Sequence, residues 1–404
     1  MKSKVSLGEL CTYSKGIGIP REYTDVNLDI PYLHYGDIYK KYDFRINLDK
    51  ELNEIIKISK NEKIKTDHFL SDGDIVYTLT SETVDDLGHS TLIINEKNYP
   101  FVAGMETTVI RIKDKNKILP AYLNYIFQSE SFRRELRQFV TGMKVYRVHP
   151  TDLLKIKIDI PSLEDQLKIV SFLDSISNKI QINIVLNDYL STLKTEMFSN
   201  YLGSLKDCET VSLAEVATLQ KETWKPSNVE EILEHYSIPA YDQNQFPIFD
   251  NSLYVKSNKT LVEKDCILVS KLNPETKRVW RPLCMTNLAV CSTEFLAIKA
   301  KNPDMKEYIH SFVESDLFTQ HLTSIATGST GSRQRALPSD AMSCVVPIPP
   351  LDVKYTVLMN ALSDLSKSIK QNVMENDRLT NLRDYLLPKL MSGEINVSNL
   401  ELSN

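Results

Sequence analysis

The sequence predicts an α+β fold: two similar α/β domains joined by two long antiparallel α-helices, related by a pseudo-two-fold. Three observations carry this expectation. Two stretches of roughly forty residues, Ile158 to Leu202 and Ile348 to Ile395, keep apolar residues at intervals of three and four, the helical period. Short local matches recur in the same order through both halves of the chain, the signature of an internal repeat. Between the helical stretches, β-branched runs alternate with shorter amphipathic ones.

The repeat can be followed in chain order. VSLGEL (Val5 to Leu10) is answered by VSLAEV (Val211 to Val216), and Ile30-Pro31-Tyr32 by Ile238-Pro239-Ala240. Asp72 to Tyr77 is matched by Glu263 to Leu268, and VAGMETTVIRIK (Val102 to Lys113) by AVCSTEFLAIKA (Ala289 to Ala300). AYLNYIFQSESF, from Ala121, parallels KEYIHSFVESDLF, from Lys306, and Thr141-Gly142 parallels Thr327-Gly328. DIVYTLT, TTVIRIK, CILVSK and FLAIKA read as strands. LPAYLNYIFQSESFRREL and DMKEYIHSFVESDLFTQHL read as one amphipathic helix each, the first opened by Pro120.

The long stretches each follow an Ile-Pro signal, Ile160-Pro161 and Ile348-Pro349, a residue pair that suits a first helical turn. At about 1.5 Å per residue each makes a rod of roughly 60 Å. Asn183 and Asn187 interrupt the first apolar stripe near its middle, and Asn372 and Asn376 the second. Seam asparagines fix register at a cost in stability, so the four are expected to meet. The competing reading turns them to solvent. The expected boundaries are 1–158 for the first domain, 159–206 for the first helix, 207–347 for the second domain and 348–404 for the second helix and tail.

Composition is that of an ordinary globular protein, 42% hydrophobic and 25% charged, with a net charge of −5. That charge argues against a protein coated in cations but leaves room for a local basic face. The six cysteines form no CxxC pair and read as reduced thiols, so no metal site is expected. The start of the chain lacks an apolar leader, and no apolar run approaches the length of a membrane span. A cytoplasmic protein with no membrane role is expected. Glycine-rich phosphate loops, GxSxG elbows, HExxH spacings and the Asn-Pro-Pro-aromatic motif of amino-methyltransferases are all absent from the sequence.

What stands out is a set of basic and polar loops at matching places. KGIGIPREY carries Lys15 and Arg21, and QKETWKPS carries Lys221 and Lys225. KLNPETKRVWR carries Lys271, Lys277, Arg278 and Arg281 around Trp280. TGMKVYRVH carries Lys144, Tyr146 and Arg147, and TGSTGSRQR carries Arg333, Gln334 and Arg335. Arg, Lys and Gln beside an aromatic suit phosphate contact and base-edge readout, so these fourteen residues are the candidate DNA-binding set. A solvated loop with ordinary surface charge is the plainer reading of any one of them.

IDIPSLEDQLKIVSFLD at the first helix start and LLPKLMSGEI at the second helix end, with VSLGEL, VSLAEV, DGDIVYTLT and the TG turns, give the chain a family likeness. It resembles the specificity (S) subunits of type I restriction-modification systems over essentially its whole length. It departs at the second helix start, where Val353-Lys354 stands for Asp165-Gln166. The resemblance implies two target recognition domains, each reading half of a split double-stranded DNA sequence, on a coiled-coil spacer that docks methyltransferase (M) subunits, two of them expected. Catalysis would then lie elsewhere: S-adenosylmethionine-dependent N6-adenine methylation on the M subunits, and ATP- and Mg-dependent cleavage on restriction (R) subunits. The chain itself would hold no cofactor and catalyse nothing. A stand-alone methyltransferase or nuclease with a diverged site, and a helical scaffold that ignores DNA, are the alternatives.

Overall fold

The computed structural model describes residues 3–42, 44–84, 87–205, 208–328 and 334–395. It divides into two compact units: Met1–Asn178 with Thr380–Asn404, and Lys179–Leu379. Both long helices contribute to both units. The first spans Leu163–Gly203 and the second Val353–Ser392.

In the first unit, strands Cys11–Lys15, Thr107–Ile112, Ile75–Thr78, Ser90–Ile94 and Arg45–Asn47 form one sheet in that order. Ile75–Thr78 is buried along its whole length, which is why it reads as a continuous apolar run rather than an alternating one. A smaller sheet places Val102–Ala103 parallel to Ile30–Leu33. Strand Ser3–Ser6 pairs antiparallel with Lys157–Ile160, the strand that leads into the long helix. The main core gathers Tyr77, Ile110, Tyr122, Tyr125, Phe127 and Phe132, and it extends to Ile169 and Leu173 of the first long helix and Leu387 and Leu390 of the second.

The second unit repeats this frame. Ala217–Leu219, Phe295–Ala300, Cys266–Ser270 and Val279–Trp280 form one sheet, and Ala289–Cys291 lies parallel to Ile232–Tyr236 in another. Strand Thr210–Ser212 pairs with Val345–Pro347 ahead of the second long helix. Its main core includes Phe198 and Tyr201 of the first helix and Tyr355, Met359 and Leu362 of the second. Identical capping boxes open the first turn of each domain: Glu9 accepts from the hydroxyl and backbone N–H of Ser6, and Glu215 from those of Ser212. In each unit one end of the first helix packs with the opposite end of the second, so the pair runs antiparallel.

Two expectations are corrected. The run from Pro120 is two helices, Pro120–Gln128 and Glu130–Arg137, broken where Ser129 caps the second through the Phe132 N–H. The second domain breaks at the equivalent Ser315, between Lys306–Glu314 and Asp316–Ile325. The prolines, expected in the first turns of the long helices, lie upstream of them. Ser162 caps the first helix at the Asp165 N–H (3.2 Å) and Asp352 the second at the Tyr355 N–H (2.8 Å).

The seam asparagines do meet. Within the second unit, Asn183 donates to Asn376 (2.9 Å) and Glu375 (2.7 Å), and Asn372 donates to Asn187 (2.8 Å). The divergent helix starts are two solutions to one docking problem. Buried Gln166 accepts from the Leu119 N–H and donates to the Lys117 and Pro161 carbonyls. In the second unit the Tyr355 hydroxyl donates to the Asp304 carbonyl instead (2.7 Å).

Candidate nucleic-acid interface

The roots of the two TG loops are built alike. Thr141 and Arg147 exchange two backbone hydrogen bonds of 2.9 and 2.8 Å, and Thr327 and Arg335 exchange two of 3.0 and 2.9 Å. Each arginine is thus pinned at the root of its loop, while the next residue is tied back to the sheet: Val148 N–H donates to Leu79, Ala336 N–H to Lys271. Gly142 makes the first turn at φ 109°, where a Cβ would lie 2.1 Å from the Val145 carbonyl oxygen, so the loop demands glycine there.

In the first domain, Lys15, Thr80, Glu106, Thr141 and Arg147 line a cleft of about 470 Å³. Lys15 and Arg147 are exposed, Lys144 is exposed on the loop, and Tyr146 is half-buried, its backbone paired with Ser81. Arg21 opens the short 3-10 turn Arg21–Tyr23. The structure therefore brings Lys15 and Arg147 together along one cleft.

The second domain treats its cations differently. Lys221 and Lys225 are exposed on either side of Trp224, which is itself buried against Leu233 and Val290. Lys277 pairs with Asp316 (3.0 Å), and Arg278 grips Asp242 through Nε and Nη2 (2.6 and 2.9 Å). Lys271 is half-buried on the strand end. Gln334 is half-buried, its carbonyl accepting from the Asn273 N–H. Arg335 is exposed, and Arg333 lies outside the described residues.

Arg281 departs from the expectation of a loop contact. Its side chain is 11% exposed, with Nε and Nη2 on Glu314 (2.6 and 2.8 Å) and Nη1 on both oxygens of Glu307 (2.8 and 2.9 Å). Lys194 of the first long helix adds a second cation to Glu314 at 3.0 Å. Burial works to raise the Glu314 carboxyl, but the charges of Arg281 and Lys194 outweigh it and hold the pKa at about 2. Every edge of the guanidinium is occupied, so Arg281 is a structural cation. Trp280 likewise packs edge-on to Tyr236 and Tyr241 and presents no free face as a stacking platform.

Two carboxylates were missed by reading cations alone. Glu106 and Glu294 occupy equivalent places, each just before the strand that starts at Thr107 or Phe295. The sequence match alone did not show this, because in GMETTV and CSTEFL the acid is the third residue of one and the fourth of the other. Among the described residues no group of His, Cys, Asp and Glu could hold a metal ion, and the six cysteines are free. Among the described residues no helix is long and apolar enough to cross a membrane.

The chain thus carries the same α/β frame twice, each copy packed on parts of both long helices. Residues 2–190 match the family described as the type I restriction modification DNA specificity domain. The chain is 21% identical over 311 residues to the MjaIX specificity subunit of Methanocaldococcus jannaschii, covering 71% of each chain. It is 31% identical over 104 residues to the HindI specificity subunit of Haemophilus influenzae, covering 26% of this chain and 19% of that one. In structure it resembles the S subunit of a type I restriction-modification system from M. genitalium, with a TM-score of 0.54, 16% identity and 97% and 96% of the two chains covered. Residues 2–190 thus match a type I DNA specificity domain, and over most of its length the chain is similar to specificity subunits of type I restriction-modification systems.

Proposed function

We propose that this chain supplies DNA sequence specificity to a type I restriction-modification complex by reading a bipartite target, one half with each domain. The observation that carries this reading is the repeated frame: an arginine pinned at the root of a TG loop in each of two domains built on the same helix pair. Arg147 with Lys15 and Lys144, and Arg335 with Lys221, Lys225, Lys271 and Gln334, are the residues we assign to DNA. Half-site spacing then follows from protein geometry.

The helices are assigned the docking of M subunits, two of them. Ile182, Val185, Leu186, Tyr189 and Leu193 are exposed at intervals of three and four on the first helix, an apolar stripe suited to helix packing with a partner. On this reading the chain is non-catalytic and cytoplasmic and binds no cofactor. The M subunits carry S-adenosylmethionine, and R subunits that join through the complex carry ATP and Mg.

The test is duplex binding by the chain assembled with its M partner, titrated against salt. The reading expects one bipartite duplex to be preferred over random duplex, with affinity falling steeply as salt rises. Indifference to both sequence and salt would favour the helical scaffold. Methyl transfer by the purified chain alone with S-adenosylmethionine would establish the stand-alone enzyme.

A further inference from the structure

Glu294 and Arg335 form an ion pair whose geometry is informative. Arg335 donates from Nε to Oε2 (3.1 Å) and from Nη2 to Oε1 (3.0 Å), so the carboxylate occupies the side edge of the guanidinium. A guanidinium has five N–H donors in a fixed plane. Two are committed to Glu294, and among the described residues no other side chain partners Arg335, which leaves Nη1 and the second hydrogen of Nη2 as its outer edge. That outer fork is the shape that accepts O6 and N7 of guanine. The side chain of Arg335 is 48% exposed and that of Glu294 is 27% exposed. An exposed pair of this kind adds little to fold stability, so stability alone does not account for it.

Two neighbours sharpen the contrast. Arg281 has both edges taken and is buried. Arg278 shares the side-on grip, but it is only 14% exposed. Arg335 alone of the three combines a fixed side edge, an exposed outer edge and a backbone pinned by the loop. Its counterpart exists in the first domain. Glu106 and Arg147 are separated by the same 41 residues of chain as Glu294 and Arg335, and both line the cleft that holds Lys15. There Arg147 makes no ion pair among the described residues, and Glu106 sits in a left-handed turn at φ 67°.

We propose that Arg335 reads a guanine in the half-site of the second domain and that Glu294 is the positioning residue that aims it, with Arg147 and Glu106 in the same places in the first domain. This rests on the bipartite DNA reading above and names the base class and the residues within it. A lysine cannot substitute, because a point charge lacks the planar fork.

The experiment co-expresses each variant with the M partner and maps the methylated motif across a randomised duplex library. Arg335→Gln is expected to lower the preference for guanine at one position of one half-site by roughly ten- to a hundred-fold, leaving the other half-site intact. Arg335→Lys is expected not to restore that preference. Glu294→Gln should weaken it at the same position only, and Arg147→Gln should act in the opposite half-site. The proposal is overturned if Arg335→Gln keeps the full motif, or if it weakens every position equally, as loss of a phosphate contact would. It is also overturned if Glu294→Gln moves a different position. Thermal melting close to wild type guards against misfolding, and Arg335→Lys supplies a second, milder variant. A wild-type chain that selects no motif at all overturns the bipartite reading itself and the guanine assignment with it.

Discussion

The carboxylates around Arg281 tie a strand end, a short helix and the long helix into one charged cluster, since Glu307 and Glu314 lie on helix Lys306–Glu314 and Lys194 on the first long helix. Removing one member of such a buried cluster leaves the rest uncompensated. Arg281→Met is expected to destabilise the protein by about 3–5 kcal/mol in chemical denaturation. His310 is buried beside this cluster, its Nε2 3.0 Å from the Asp265 carbonyl oxygen. Burial, with the charge of Arg281 second, pushes its pKa down from 6.5 to about 3. The unfolded chain therefore binds a proton that the folded chain refuses. Stability contributed by neutral His310 is complete above 6.5 and lost as pH falls towards 3, and the low pKa of Glu314 adds loss in the same direction below its ordinary 4.5. His310→Gln should flatten the pH dependence of the melting temperature between 6.5 and 5. An unchanged slope would place the titrating group elsewhere.

The long helices carry both register and an exposed face. Asn183 is 1% exposed and serves two partners across the seam, so Asn183→Leu alone leaves Asn376 and Glu375 short of a donor. It is expected to cost about 1–3 kcal/mol, whereas the double change Asn183→Leu with Asn376→Leu should recover most of that loss, as read from paired denaturation curves. Equal losses in the single and double variants would contradict the seam coupling. On the outer face, Ile182, Tyr189 and Leu193 are 61%, 72% and 45% exposed, and changing them disturbs no core. Replacing Tyr189 and Leu193 with Asp should abolish co-purification of the M partner while shifting the melting temperature by no more than a degree or two.

At the scale of the whole chain, helical period and repeated order exposed the architecture because both are local in sequence. The breaks at Ser129 and Ser315 were not legible, since each serine interrupts a run whose apolar spacing continues across it. The partners of the candidate cations were not legible either, and the reason is distance along the chain. The acids that neutralise them lie far away: Asp316 is 39 residues from Lys277, Asp242 is 36 from Arg278, and Glu307 is 26 from Arg281. No local spacing foretells such pairs. Those three cations are committed to acids, and the residues we assign to DNA centre on Arg147 and on Arg335, which stays half exposed beside Glu294.

The most direct test of the account is a map of N6-methyladenine in DNA from cells that carry this chain with its M partner. Two reading domains predict one motif made of two fixed blocks separated by a constant run of unspecified bases, with a methylated adenine on each strand. A single uninterrupted motif, or methylation without any motif, would contradict it.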